Sequence, residues 1–383
     1  MRKLLGVGLV LVLLCGCSGN LNEEEPKKEP EKTVEKDDIV EVSFSAVGDN
    51  LIHNTIYMYN SIGDGKYDFK DIYEHTNYLT QDADISYINQ ETMCGGSELG
   101  LSSYPSFNSP YEILDAVNSA GFNWIAASSN HSMDAGEQGI LNQLNYIKNH
   151  FPDMSVTGSH ASKEDSEKLQ VIEKKGVKFG ILGYTYGLNG YSLPEGKDYL
   201  VDLIDKDKIK HDVERLKKVS DVIVVSMHWG SEYAFTPNEE QQDLAQFLSD
   251  LGVDVIIGEH PHVIQPMDYV TGKNGNKTLV IYSLGNFLSA QDNADNMLGG
   301  MARWKIEYNK TKKETTIKDV QFLPTITYIR GQMEYYRTYV LKDYTNELAA
   351  SHMLTTNYGQ DVTREYFINR VNEIMNDKVE IVY

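Results

Sequence analysis

Side chains that can bind metal ions follow the apolar runs of this sequence. They are Asp49, Glu91, Asn130, His228, His260 and His262. Carboxylate and amide oxygens with imidazole nitrogens suit Zn, Mn or Fe, and they differ from the thiolate sites of structural zinc. Two such ions sharing a carboxylate would suit an anionic phosphoester, because they cancel its charge and hold the reacting oxygens in line. The pattern therefore predicts a metal hydrolase site.

Alternating apolar runs and amphipathic stretches predict the elements that position these residues. Strands are predicted at 42–47, 85–89, 124–128, 178–184, 222–227, 253–258 and 278–283. Helices are predicted at 69–81, 110–120, 137–149, 207–219, 238–251, 344–352 and 362–376. The pattern is typical of a layered α/β core. The carboxyl ends of its parallel strands would open onto one crevice, where the candidate ligands would converge.

Two predicted hairpins add antiparallel strands or a second sheet. They turn at Lys175-Gly176 and Asn309-Lys310.

A group of five tyrosines follows Pro324. We expect most of them to pack in the core rather than to form a surface that binds a sugar or polymer. These tyrosines are Tyr328, Tyr335, Tyr336, Tyr339 and Tyr344. The remaining histidines are predicted to be solvated: His75, His150, His160, His211 and His352.

The charge of the chain excludes one class of partner. The 383 residues include 35 Lys+Arg and 56 Asp+Glu, which gives a formal charge of −21. Because nucleic-acid binding needs a basic surface, no nucleic-acid partner is expected.

The sequence has no Gly-x-Ser-x-Gly elbow and no Gly-x-x-x-x-Gly-Lys-Ser/Thr loop. These absences argue against a serine hydrolase and against a kinase or ATPase.

The first residues predict export and a lipid anchor. A basic start and an apolar run lead to Cys17, a pattern that resembles the lipobox of bacterial lipoproteins. We therefore expect 1–17 to be a signal peptide, Cys17 to carry lipid, and the acidic segment 18–40 to be a disordered tether. The protein would be held on the outer face of the bacterial membrane. Cys94 would then be a lone, buried cysteine without a disulfide partner.

Six motifs contain the candidate ligands and neighbouring residues in a fixed order. They are Gly48-Asp49, Asn89-Gln90-Glu91, Ser129-Asn130-His131, and the segments 228–233, 258–262 and 282–287. Together they resemble the motifs of the CapA group, bacterial proteins linked to poly-γ-glutamate capsule synthesis. This group belongs to the calcineurin-like metallophosphoesterase superfamily. The resemblance implies a four-layer α/β sandwich flanked by helices at 41–330, followed by a C-terminal helical extension at 331–383.

The resemblance also implies a dinuclear site for Mn, Fe or Zn. Asp49 and His262 would hold the first metal, and Glu91 would bridge both. The implied ligands of the second metal are Asn130, His228 and His260. His131 would be the general acid that protonates the leaving group. Trp229, Glu232 and Tyr233 would shape the pocket mouth.

Three positions leave alternatives open. The superfamily pattern has a histidine two residues after the first aspartate, where this chain has Leu51. His53, two residues further on, is either a metal ligand or a polar group on a loop. Asn89 is either a ligand or a partner of one. Asp134 is predicted to cap a helix or support a ligand rather than bind metal itself.

Two functional hypotheses follow. In the first, the protein is a surface lipoprotein of the CapA group whose metal site hydrolyses an anionic envelope polymer or phosphoester, such as one used in poly-γ-glutamate capsule synthesis. In the second, it is a non-catalytic accessory that binds polymer or the membrane proteins of a capsule synthesis and export complex. Leu51 and the tyrosines beyond Pro324 motivate the second hypothesis.

Overall fold

Two β-sheets form the centre of the fold in a computed structural model that describes residues 37–383. The predicted signal peptide, Cys17 and the first part of the tether lie outside the described residues. Ile39 and Val40, which the sequence places in the tether, are the first two residues of β1. Among the described residues, no helix combines the length and apolar character needed to cross a membrane.

The strands include all seven that the sequence predicts. They are β1 (Ile39–Asn50), β2 (Ser61–Gly63), β3 (Lys66–Tyr67), β4 (Ile85–Asn89), β5 (Trp124–Ala126), β6 (Ser155–Thr157), β7 (Val171–Lys174), β8 (Val177–Thr185), β9 (Val222–His228), β10 (Val255–Glu259), β11 (Ile264–Thr271), β12 (Lys277–Leu284), β13 (Asn286–Leu288), β14 (Leu298–Asn309), β15 (Glu314–Arg330), β16 (Tyr335–Val340) and β17 (Glu380–Ile381). Both predicted hairpins are present, as the antiparallel pairs β7–β8 and β14–β15.

The larger sheet has the order β16-β15-β14-β1-β4-β5-β6, with β13 beside β1 and β17 beside β15. Its strands β1, β4, β5 and β6 run parallel. The second sheet has the order β11-β12-β10-β9-β8-β7, and its four central strands are parallel. A separate two-stranded pair joins β2 to β3.

The helices flank these sheets. They are α1 (Asn54–Tyr59), α2 (Asn77–Gln81), α3 (Glu112–Ser119), α4 (Gly136–His150), α5 (Lys163–Ser166), α6 (Lys206–Leu216), α7 (Glu239–Asp250), α8 (Ala294–Met297), α9 (Asn346–Ser351), α10 (Met353–Tyr358) and α11 (Arg364–Ile374). Short 3₁₀ turns span Lys70–Tyr73, Ser97–Leu99 and Leu341–Asp343.

Inner side chains join the two sheets face to face. The rings of Phe44 on β1 and Phe179 on β8 meet edge to face, with centroids 5.1 Å apart. The hydroxyls of Tyr87 on β4 and Ser226 on β9 lie 2.7 Å apart. A second apolar cluster packs α6 and α7 against the outer face of the smaller sheet. This arrangement confirms the predicted four-layer α/β sandwich.

Residues 331–383 contain the predicted C-terminal helices and also extend the larger sheet through β16 and β17. Phe367 and Val371 of α11 belong to the main hydrophobic cluster. Tyr328, Tyr336, Tyr339 and Tyr344 are buried, and Tyr335 is half-buried against the same core, which favours packing over a polymer surface. Cys94 is likewise buried and free.

Two local predictions are wrong. The segment 69–81 is not one helix, because it is interrupted at Thr76, whose hydroxyl contacts the carbonyl of Tyr73 and the hydroxyl of Thr338 on β16. His160 and His352 are buried instead of solvated. The first lies 2.8 Å from a carboxylate oxygen of Asp202, and the second caps α10.

Candidate metal centre

The candidate ligands meet at one edge of the sandwich, where parallel strands of both sheets end. Asp49 lies at the end of β1 and pairs in register with Asn89, the last residue of β4. In the other sheet, His228 at the end of β9 pairs with Glu259 at the end of β10. The buried apolar strands thus deliver polar side chains from four strand ends to one place, as the sequence predicts.

Gly48 lets β1 approach the loop that carries Asn286. A Cβ atom at this position would lie 1.9 Å from the carbonyl oxygen of Gly285. The amide of Asp49 donates to the same carbonyl at 2.8 Å. Glycine is therefore required at this position, because any larger residue would displace the backbone that carries Asp49.

The first group of potential ligands combines Asp49, Glu91 and His262, whose donor atoms lie within 4.8 Å of one another. His262 Nδ1 lies 3.0 Å from Asp49 Oδ2 and 3.1 Å from Asn286 Oδ1. Nε2 of the same ring lies 3.5 Å from Glu91 Oε1. Because Asp49 and Asn286 accept from Nδ1–H, Nε2 is free to bind a cation.

The second group combines Glu91, His228 and His260, whose donor atoms also lie within 4.8 Å. His228 Nε2 lies 2.8 Å from Asn130 Oδ1 and 3.8 Å from Glu91 Oε1. Asn130 therefore points its amide oxygen at the nitrogen that faces Glu91. Glu91 belongs to both groups, which is the position that a bridging carboxylate would need.

A backbone bend aims the two histidines that follow β10. His260 and His262 have φ angles of 99° and 57°, values that L-residues rarely adopt. Such strain persists only where the surrounding structure enforces it, and it is frequent at functional sites. The bend places the imidazole of His262 beside Asp49 Oδ2 and the backbone amide of His260 3.5 Å from Asp49 Oδ1.

The hydrogen bonds around the cluster leave buried ligand atoms unpaired. Both carboxylate oxygens of Glu91, Nδ1 of His260 and Oδ1 of Asn89 have no hydrogen-bond partner among the described residues. An unpaired buried polar atom is costly, and its presence in a native fold needs an explanation. Divalent cations would satisfy these atoms, and the oxygen and nitrogen donor set matches Mn, Fe or Zn. The residues present therefore fit a metal centre.

Electrostatics support the same conclusion. Burial raises the pKa of Glu91 well above its usual range, and the negative charge of Asp49 raises it further. Burial opposes protonation of His262, but Glu91 and Asp49 outweigh it and raise its pKa to about 10. Without a cation the cluster retains protons to limit its negative charge. Bound metal would replace those protons.

The pKa values of His228 and His260 are lowered rather than raised. Burial, and then the neighbouring His262, lower the pKa of His260 to about 3. Burial lowers the pKa of His228 well below its usual value, and His260 adds to the effect. Both rings are therefore neutral at physiological pH, which is the form that binds metal.

Asn89 contacts a candidate ligand, whereas His53 lies outside the ligand groups. Asn89 Nδ2 donates to Asp49 Oδ1 at 2.8 Å, so this side chain orients a ligand. His53 belongs to none of the ligand groups found among the described residues. Its Nδ1 lies 3.2 Å from the amide nitrogen of Ala290, and its ring meets Phe107 edge to face. Leu51 is buried.

His131 is buried beside the cluster and is held by Asp134. Its Nδ1 lies 2.7 Å from Asp134 Oδ2, which also accepts from the amide of Phe107 at 2.6 Å. The ring of Phe107 packs edge to face on His131, with centroids 4.8 Å apart. Asp134 thus supports His131, as the sequence predicts, and leaves Nε2 available for proton transfer.

Two of the three residues predicted to shape the pocket mouth lie on the solvent-exposed side of the metal centre. Glu232 is exposed and forms a third ligand group with His260 and His262. Tyr233 is 50% exposed and lies beside His262, with ring centroids 6.1 Å apart. Trp229 does not lie at the mouth: it is buried in the core, where its indole N–H donates to the carbonyl of Tyr282.

Sequence reasoning missed four residues of the centre. Tyr186 packs over His260, with ring centroids 4.7 Å apart. Asn189 Oδ1 accepts from Asn130 Nδ2 at 3.1 Å. Asn286 contacts His262, and Glu259 is a fully buried carboxylate whose pKa is raised by burial and by Asp49. Asn286 and Glu259 belong to the quoted motifs and lie at strand ends, so the same strand-end pattern could have identified them.

The sequence comparison identifies the family. Residues 43–291 match the family model described as bacterial capsule synthesis protein PGA_cap. The chain belongs to this family. All six candidate ligands lie inside the PGA_cap region, whereas β14 to β17 and α9 to α11 follow it. The match confirms the family that the motifs indicate.

Curated relatives cover part of the chain. The PGA biosynthesis protein CapA of Bacillus subtilis (strain 168) is 29% identical over 212 residues, which cover 55% of this chain and 54% of that protein. The capsule biosynthesis protein CapA of Bacillus anthracis is 31% identical over 222 residues, which cover 55% of this chain and 49% of that protein. The matches thus span about half of each relative. A solved phosphatase from Mycoplasma pneumoniae is also similar, with a TM-score of 0.44 and 12% identity, covering 75% of this chain and 94% of that chain.

Proposed function

We propose that the strand-end cluster is a dinuclear Mn, Fe or Zn centre of a hydrolase. The observation that carries the proposal is Glu91, whose two buried oxygens are unpaired among the described residues and which belongs to both inner ligand groups. Asp49 and His262 would complete one metal position. Asn130, His228 and His260 would complete the other.

The residues around the cluster support hydrolysis of an anionic ester. When bound, the ions would supply Lewis-acid polarisation of an ester oxygen and neutralise negative charge. Asp134 orients His131 through Nδ1, so Nε2 is in a position to donate a proton to the leaving oxygen. Asn286 and Asn89 keep His262 and Asp49 in fixed orientations.

The substrate would be an anionic polymer of the cell envelope or a phosphoester precursor of one. The family assignment and the names of the two Bacillus relatives support a role in capsule biosynthesis, including that of poly-γ-glutamate. The net charge of −21 would repel such a substrate, so a cationic centre would be needed to retain it. Cys17 would carry the lipid that anchors the protein to the outer face of the membrane, beside capsule synthesis membrane proteins.

Hydrolysis of aryl phosphates tests the enzymatic proposal. The purified chain is assayed with mono- and diaryl phosphates in the presence of Mn or Zn, together with Glu91→Gln and His262→Ala. We expect turnover by the wild type and its loss in both variants. A metal-loaded wild type that hydrolyses neither ester nor any isolated envelope polymer would favour the accessory role.

A further inference from the structure

A cavity of about 370 Å³ adjoins the metal centre on the side of His262. Its wall includes Val263, the residue after His262, and Tyr233 from the mouth. Asn296, also in the wall, donates from Nδ2 to the carbonyl of His262 at 3.0 Å. The volume lies within the range of about 300–1,000 Å³ that is typical of small-molecule sites. We call this space the side cavity.

The lining of the side cavity combines aromatic rings with amides and carboxylates. Tyr233 and Phe235 supply the rings, and Gln291, Asn293 and Asn296 supply the amides. Two carboxylates, those of Asp292 and Asp295, complete the polar lining. Among the described residues, the lining includes no lysine or arginine. An anionic group would therefore meet two carboxylates, with no lysine or arginine in the described part of the lining itself.

Arg370 contacts two residues of this wall, Phe235 and Asp295. The guanidinium of Arg370 stacks on Phe235, 4.4 Å from the ring centroid. Its Nε donates to Asp295 Oδ1 at 2.8 Å, and its Nη1 pairs with Glu373. Tyr366 donates to the same oxygen of Asp295 at 2.7 Å. Arg370 therefore neutralises Asp295 and supports Phe235 from behind.

The backbone of the aromatic wall is fixed by hydrogen bonds, and Gln291 Nε2 donates to the hydroxyl of Tyr233 at 3.2 Å. Tyr233 has a φ of 63°, and its amide donates to the carbonyl of Pro261 at 2.7 Å. The carbonyl of Ala234 accepts from Gln265 Nε2 at 2.7 Å, and Gln241 in turn donates to Gln265. Gln241 and Gln265 are fully buried. A preorganised aromatic face reduces the entropy cost of binding.

We infer that the side cavity binds a neutral pyranose ring that is joined to the ester held at the metal centre. The apolar C–H face of the sugar would stack on Tyr233, and its hydroxyls would bond with Nδ2 of Asn293 and the carboxylate of Asp292. The amide of Gln291 is already engaged with Asn286 and with the hydroxyl of Tyr233. The inference rests on the proposed function, and it narrows the substrate to a sugar phosphate or a phosphodiester-linked glycopolymer. The ring and the ester are then recognised by two adjoining loops. Tyr233 lies on the loop after β9 and His262 on the loop after β10, and the hydrogen bond from the amide of Tyr233 to the carbonyl of Pro261 joins them.

Binding of simple glycosides to the metal-stripped chain tests the cavity without the metal centre. Methyl β-glucopyranoside and methyl N-acetyl-β-glucosaminide are probed by saturation-transfer NMR in EDTA, with glutarate and tetramethylammonium as charged comparators. We expect saturation transfer to the ring C–H protons of at least one glycoside. Tyr233→Ala should weaken this binding about fivefold, because a stacked ring contributes about 1 kcal/mol. Tyr233→Phe should retain it.

Tyr78→Ala is the matched control, because Tyr78 is 44% exposed, similar to Tyr233, and does not line the side cavity. This variant should bind the glycosides like the wild type. No transfer to either glycoside, equal weakening in both alanine variants, or preference for glutarate or tetramethylammonium would each overturn the inference. Metal binding and aryl phosphatase activity of the same chain before EDTA treatment would show that the proposed function stands even so.

Discussion

Nε2 of His262 lies 3.5 Å from a carboxylate oxygen of Glu91, while Nδ1 of the same ring is held by Asp49. The imidazole is thus fixed on one side and presents its other nitrogen to a carboxylate that has no hydrogen-bond partner among the described residues. This is the arrangement expected of a histidine ligand with a supporting carboxylate.

His131→Ala tests proton transfer apart from metal binding. We expect turnover to fall by about 10²- to 10⁴-fold, because a positioned general acid contributes that much, while the metal content is retained. Steady-state kinetics and metal analysis of the same sample measure both effects. His211→Ala, an exposed histidine on α6, is the control and should keep full activity. Unchanged turnover in His131→Ala would exclude this residue as the acid.

Gly48→Ala tests the close approach of β1 to the loop at Gly285. The added Cβ would lie 1.9 Å from a backbone oxygen, so we expect a loss of about 3 kcal/mol in the free energy of unfolding. Asp49 would move with the backbone, and metal affinity would fall. Gly187→Ala is the matched control, because its Cβ would meet nothing within 4 Å. Denaturant titration compares the two, and an unchanged Gly48→Ala would contradict the described packing.

Chelation tests whether metal contributes to stability. A ligand that binds only the folded state stabilises it by about 2.7 kcal/mol when its free concentration is about 100 times Kd. EDTA should therefore lower the Tm of the wild type, and added Mn or Zn should restore it. Asp49→Asn should show little response to either treatment. Equal responses in the wild type and in this variant would show that the metal acts elsewhere.

The pH dependence of stability tests the buried His352. Its Nε2 lies 3.1 Å from the carbonyl of Thr327, and its Nδ1 accepts from the amide of Leu354. Burial lowers its pKa from 6.5 to about 4. The unfolded chain therefore takes up the proton first, and stability present above pH 6.5 is lost as the pH falls toward 4.

His352→Asn should remove this dependence while keeping a helix cap. The wild type should lose up to about 3 kcal/mol more than the variant between pH 7 and pH 4. Denaturant titrations at both pH values measure the difference. Parallel losses in the two proteins would show that His352 does not carry the effect.

The sequence predicts the strands and the convergence of the ligands because buried apolar runs end in polar residues that have no role in packing. It fails where contacts with distant residues decide the outcome. Thr76 interrupts a helical pattern through a contact with Thr338. Trp229 packs in the core, although the nearby residues Glu232 and Tyr233 lie at the pocket mouth. Tyr186 and Asn189 lie after β8, where no pattern in the sequence marks them as neighbours of the cluster.

Metal analysis of the purified chain tests the central claim most directly. Mass spectrometry after reconstitution with Mn, Fe or Zn should find close to two ions per wild-type chain. Glu91→Gln, which keeps the shape of the side chain but removes its charge, should lose at least one of them. A wild type that stays metal-free under all three conditions, or a variant that keeps both ions, would contradict a centre bridged by Glu91.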